Sequence, residues 1–194
     1  MTRPSGQKAR HSFSWGLVAI LLAAAVLRLW AIDRVPPGLS DDEVIHWLIV
    51  RDILKGRPAL YFAQGFGHEP LVHYLQAAMV AVMGDHWLAL RYPSVALGLL
   101  NVTAIAVLTR RLFGRTVALL AAAYLALNFW PVFYSRLALR ANALPYLAAL
   151  DAYFFFRGFE GRACTRFLRI NPNYLAFGLL LGLSFYTYMA SRML

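Results

Sequence analysis

The sequence predicts an all-α membrane protein, a polytopic helix bundle with amphipathic surface helices in its first external loop. Hydrophobic residues make up 60% of the 194-residue chain and charged residues only 14%, against roughly a half and about a quarter in soluble domains. The apolar residues gather into runs approaching the roughly 20 residues that carry a helix across about 30 Å of hydrocarbon. These runs do not alternate apolar with polar residues, which separates them from the strands of a membrane barrel.

The remaining composition narrows the class. Lys and Arg total 19 against 9 Asp and Glu, a formal charge of +10. In a soluble protein that excess points to nucleic acid. Here most of it sits between apolar runs, where basic residues fix topology and meet anionic membrane lipid, so no nucleic-acid partner is expected. A single cysteine, Cys164, excludes an internal disulfide and a cysteine metal cluster.

Residues 1–14, with Arg3, Lys8 and Arg10, read as a cytoplasmic tail. The run over 15–32 is too long for a signal-peptide core and has no small-x-small cleavage site near Leu27-Arg28-Leu29-Trp30, so it reads as a retained first span. Residues 33–87 form an external loop. Within it, Val44, Ile45, Leu48, Ile49, Ile53 and Leu54 recur at helical spacing, and Gly56 follows as a stop. This predicts an amphipathic helix over 40–54 lying along the membrane surface.

The run Leu71–Met83 is about thirteen residues, short for a span. If it does not cross, Leu88–Leu108 runs inward and puts Arg110, Arg111 and Arg115 in the cytoplasm, as the positive-inside tendency prefers. Val117–Phe133 then runs outward, Ala141–Phe156 returns, Arg157, Arg162, Arg166 and Arg169 are cytoplasmic, and Tyr174–Met193 leaves again. Residues 88–194 thus hold the remaining spans, about five in all with the first. The chain stops at Leu194 at the end of an apolar segment, so the expectation is the N-terminal part of a larger bundle.

Three outward groups carry potential chemistry: Asp41-Asp42-Glu43, His68-Glu69-Pro70, and Arg136 with Arg140. Each also has a structural reading. Ser40 with Glu43 is a capping box, and acids in a first turn complement the helix dipole. Pro70 fits a first helical position. Arg136 and Arg140, four apart and so on one helical face, suit snorkelling to the interface. Their shared side favours function, because carboxylates and guanidinium groups at the outer ends of apolar helices offer a base beside a phosphate-binding pair. Asp151 inside an apolar run is costly and implies a functional or interhelical role.

The ordered series Pro37-Gly38-Leu39-Ser40-Asp41-Asp42-Glu43, Ile53-Leu54-Lys55-Gly56, Gly67-His68-Glu69-Pro70-Leu71-Val72-His73-Tyr74-Leu75, Leu90-Arg91-Tyr92-Pro93-Ser94, Thr109-Arg110-Arg111-Leu112-Phe113-Gly114 and Tyr134-Ser135-Arg136 resembles the N-terminal part of the GT-C membrane glycosyltransferases. It is similar to their protein O-mannosyltransferase and lipid A aminoarabinose transferase group. The resemblance implies inverting transfer of a sugar from a polyprenyl-phosphate donor to a lipid, glycan or protein acceptor at the outer face of the cell (plasma) membrane. It also implies an acidic base in the first external loop, which falls on Asp42, with Glu43 and then Asp41 as the next candidates. Arg136 and Arg140 are the candidates for the donor phosphate. Some relatives carry Glu-Lys-Pro or Lys-Pro-Pro where this chain has His68-Glu69-Pro70, so that lysine is missing, and His68-Glu69 becomes a candidate for the sugar or a divalent cation. Two adjacent ligands are not in themselves a metal site. The rival readings are a transporter or channel subunit, which calls for broken helices or repeated halves that the sequence does not display, and an inactive truncated membrane protein.

Overall fold

A computed structural model describes residues 5–160 and 171–194. Arg3, Cys164, Arg162, Arg166 and Arg169 lie outside the described residues. The described chain is all-helical: α1 (Ser5–Leu29), α2 (Asp41–Leu54), α3 (Leu71–Met83), α4 (Leu88–Phe113), α5 (Arg115–Leu127), α6 (Phe129–Arg136), α7 (Ala143–Glu160) and α8 (Pro172–Ser184), with three short 3-10 turns. By length and composition α4 suffices to cross a membrane, and α5 with α6 forms a second candidate if taken as one bent span. The apolar part of α1, Phe13–Leu29, and the whole of α3 are shorter.

The long helices pack as antiparallel neighbours, α4 against α5 and α7 against α8, with α1 on α5. Val102, Ala106 and Ala122 form the inner seam of α4 and α5, covered by Leu17, Ile20 and Leu21 of α1. Small residues at that seam let backbones approach where lipid supplies no hydrophobic drive. Leu22 and Val26 of α1, Leu120, Tyr124 and Leu127 of α5, and Leu175 and Leu179 of α8 stay exposed. They make an apolar outer surface of the kind that hydrocarbon covers.

The two ends of the bundle differ. At one end Arg110 lies over Phe13, and Arg111 and Arg157 lie over Tyr153. At the other end gather the last turn of α1, all of α2 and α3, the first turns of α4 and α7, α6, and the turn after α8. α2 and α3 clamp this end through a buried cluster of Val50, Ala77, Val80, Ala89, Leu90 and Ala138.

Three expectations need correction. Val117–Phe133 is not one straight helix: α5 and α6 meet at a 55° bend. Asn128, in extended conformation, caps the Trp130 N–H with its side chain, and Pro131 follows in the first turn of α6. An Asn cap and a proline restart the helix instead of continuing it. Arg136 and Arg140 do not share a helical face, because α6 ends at Arg136, Leu137 and Leu139 are extended, and Arg140 begins a 3-10 turn. The apolar run 174–193 breaks after Ser184, and residues beyond it fold back so that the Tyr186 carbonyl accepts from Leu71 N–H at 3.0 Å.

Candidate functional site

Ser40 caps α2, and the reciprocal contact from Glu43 completes the capping box. Glu43 goes further than a cap. Its carboxylate accepts from Arg91 Nε at 2.9 Å and Nη2 at 3.1 Å, from Ala138 N at 2.9 Å and from Ser40 N at 3.0 Å. Both side chains of the Glu43–Arg91 pair are fully buried. Burial by itself raises the Glu43 carboxyl, but the Arg91 hydrogen bonds, those from Ser40 and Ala138, and the Arg91 charge outweigh it and hold the group below the ordinary carboxylate range. Arg91 also donates to the carbonyls of Ile32, Pro36 and Gly38. One buried ion pair therefore ties the chain after α1, the start of α2, α4 and the strand-like 137–139 segment together.

Asp41 and Asp42 are exposed on the first turn of α2. Asp42 is one helical turn before His46 and lies within electrostatic reach of His68. Arg140 also acts on His68, with the opposite sign. It donates from Nη1 to Glu69 Oε2 at 2.7 Å and to the Gly67 carbonyl at 2.8 Å, and its guanidinium lies 5.4 Å from the Tyr188 ring centre. Asp42, His68, Glu69 and Arg140 therefore belong to one neighbourhood.

Arg136 belongs to another. It donates to the carbonyls of Leu27, Trp30 and Val35, locking the end of α1 to α6. It also lines an apolar cavity of about 400 Å³ with Leu27, Trp30, Val35 and Phe133.

The loop before α3 is shaped for this arrangement. Phe62 and His68 exchange backbone hydrogen bonds of 3.0 and 2.7 Å around a 3-10 turn. Gly67 has φ +98°, and a Cβ there would overlap the Tyr61 hydroxyl; only glycine takes this conformation freely. His68 is thereby turned inward onto His73 of α3 and His46 of α2.

These three histidines are all buried, and one nitrogen from each lies within 4.8 Å of the others. Burial holds them neutral. It pushes His46 well below the ordinary histidine range, helped by His73, His68 and Arg140. It lowers His68, helped by Arg140, and takes His73 to about 3 with His68 adding to the shift.

The sequence reading missed Arg91, His46 and His73. A signal existed for each. Arg91 is a charge near the start of an otherwise apolar run, His46 follows Asp42 at the i+4 position of the same helix, and His73 stands on the buried face of α3. Asp151 is buried in α7, and neither carboxylate oxygen has a hydrogen-bond partner among the described residues.

A family model described as dolichyl-phosphate-mannose-protein mannosyltransferase matches residues 67–194. The match includes His68, Glu69, His73, Arg91, Arg136 and Arg140, and begins after α2 with its acidic triplet. No curated protein and no solved structure matches the chain significantly.

Proposed function

The chain belongs to the dolichyl-phosphate-mannose-protein mannosyltransferase family, and on that footing we propose that Asp42 is its general base and Arg140 its donor-phosphate cation. Membership makes the protein a membrane glycosyltransferase that draws its sugar from a polyprenyl-phosphate carrier. It also sets aside the transporter reading, although the break between α5 and α6 is a broken helix of the sort that reading called for.

The observation that carries the assignment is the contrast between neighbouring acids. Glu43 spends both oxygens on Arg91, Ala138 and Ser40 in a fully buried setting. Asp42 is exposed and acts on the same imidazole as Arg140. A base must reach the proton it removes, and Asp42 meets that requirement where Glu43 does not. Asp41, also exposed in the first turn of α2, is the reserve candidate.

In the proposed reaction Asp42 takes the acceptor hydroxyl proton as that oxygen bonds to the anomeric carbon. The bond from that carbon to the carrier phosphate breaks on the opposite face, its electron pair leaves with the phosphate, and the anomeric configuration inverts. Arg140, held by Glu69 and Gly67, supplies positive charge where the leaving phosphate gathers negative charge. Arg136 stands at the end of α6, where its apolar cavity of about 400 Å³ suits the first isoprene units of a carrier. The site lies at the end of the bundle opposite Arg110, Arg111 and Arg157, the outer end by the positive-inside tendency, which also places the N-terminal tail in the cytoplasm.

Asp42→Asn in the intact protein tests the assignment with labelled polyprenyl-phosphate sugars. Transfer should fall by about a hundredfold or more, the usual contribution of a general base, with membrane insertion unchanged. Transfer at the wild-type rate removes Asp42 from the mechanism.

A further inference from the structure

We propose that His46, His68 and His73 form a binding site for a zinc-class divalent transition-metal ion, beside Asp42 and distinct from the carboxylate–arginine pair of the proposed reaction. The three come from separate pieces of chain, α2, the 62–70 loop and α3, yet their rings meet with centroids 4.5 to 5.2 Å apart. All three are almost completely withdrawn from solvent, at 1%, 3% and 0% exposure. Neutral imidazole is the commonest nitrogen ligand for such ions, and three protein ligands with an open fourth position is a standard zinc arrangement.

Hydrogen bonding at the outer edges of the rings is what turns a histidine cluster into a site. Backbone carbonyls stand close to two of the rings, Gly65 beside His68 and Ala138 beside His46, and each favours a ring proton on its own side. His73 Nδ1 and Gln76 Oε1, one turn apart on α3, are both buried with no hydrogen-bond partner among the described residues. The Gln76 amide nitrogen in turn donates to the Ala138 carbonyl at 3.1 Å and lies 3.3 Å from His46 Nδ1. Ligating histidines characteristically give their other N–H to a carbonyl or amide oxygen in this way.

His68 Nδ1 and His73 Nε2 stand 3.1 Å apart, a hydrogen-bonded pair if one carries its proton there and two facing lone pairs if both protons point outward. Two lone pairs at that separation repel unless a cation or a proton lies between them. Nitrogens bound at about 2.0–2.1 Å to a tetrahedral zinc ion stand about 3.3 Å apart, so this spacing already suits ligation. Ligation would also pin α2, the loop and α3 to one another, one turn below Asp42.

The test uses the purified intact protein, stripped with chelator and then loaded with zinc or cobalt(II). Metal content is read by mass spectrometry, and cobalt geometry by visible absorption. We expect one ion per chain with a tetrahedral cobalt spectrum, lost in His46→Ala and in His73→Ala and kept in His86→Ala, whose histidine is exposed and outside the cluster. Gln76→Leu should weaken binding by about tenfold to a hundredfold, the usual cost of removing an outer hydrogen-bond partner. Less than one ion per wild-type chain, an octahedral cobalt spectrum, or full binding in both His46→Ala and His73→Ala overturns the proposal. Because the wild-type measurement alone can refute it, misfolding of a variant does not shelter it. Asp42→Asn should keep the ion while losing transfer, so failure of the metal site and failure of the proposed base remain distinguishable.

Discussion

Replacing Glu43 with alanine separates a brace from a base. The substitution strips Arg91 of its counter-charge while leaving the guanidinium fully buried, and removing one partner of a buried pair costs about 3–5 kcal/mol. It also leaves the Ala138 N–H without its 2.9 Å acceptor, a loss of about 1–3 kcal/mol in a buried setting, and removes the capping box of α2. These losses share one network and do not add fully, so about 4 kcal/mol is the working figure. In a chain of this size that lowers the unfolding midpoint by on the order of 10 °C. Glu43→Gln keeps an acceptor and should cost about half as much, because charge-assisted bonds are worth about 1.5–3 kcal/mol. The assay is thermal unfolding in detergent, run beside sugar transfer. Pairing Glu43→Gln with Arg91→Met should recover at least about 1 kcal/mol relative to the sum of the single changes. A Glu43→Ala protein that unfolds at the wild-type temperature yet transfers no sugar would refute the reasoning and make Glu43 the catalytic base.

Four further outcomes follow from the same geometry. The Glu43 carboxyl is depressed in the folded state, so its stabilising contribution is complete above the ordinary carboxylate range and is lost as pH falls through and below it; unfolding midpoints recorded against pH should show that acid-side loss shrink in Glu43→Gln. Arg140→Met should reduce kcat/KM by about a hundredfold, as removal of a charge-stabilising donor does, and Arg140→Lys should restore only part of it. Gly98→Ala puts a methyl group 2.6 Å from Ser135 Cβ and 3.2 Å from Arg28 Nε, and denaturant titration should register about 1–3 kcal/mol of overpacking between α4 and α6. Asn128→Ala removes the cap on the Trp130 N–H and should cost about 1 kcal/mol in the same titration.

Local chemistry was legible from the amino acids because it depends on neighbours in the chain. The helix over 40–54 was readable from its apolar spacing and from Ser40 and Glu43, and the structure begins α2 at Asp41 with that capping box closed. The stop at Gly56 and the start of α3 after Pro70 are of the same kind. Where a run is uniformly apolar, periodicity carries no phase, so the break after Ser184 was hidden, whereas Asn128 and Pro131 marked the bend between α5 and α6 in a run whose apolar length outweighed them.

What the sequence by itself determined is therefore an all-helical, lipid-adapted chain, the family series, and the residue types present at its polar turns. Only tertiary structure decided how those residues divide their work. It sent Arg91 into Glu43 from 48 residues away, put Arg136 on the end of α1 and Arg140 on Glu69, and folded His46, His68 and His73 into one buried cluster. A buried charge or imidazole takes its role from whatever the fold brings within a few ångströms, and in a helical bundle those partners come from different helices, beyond the reach of any local pattern.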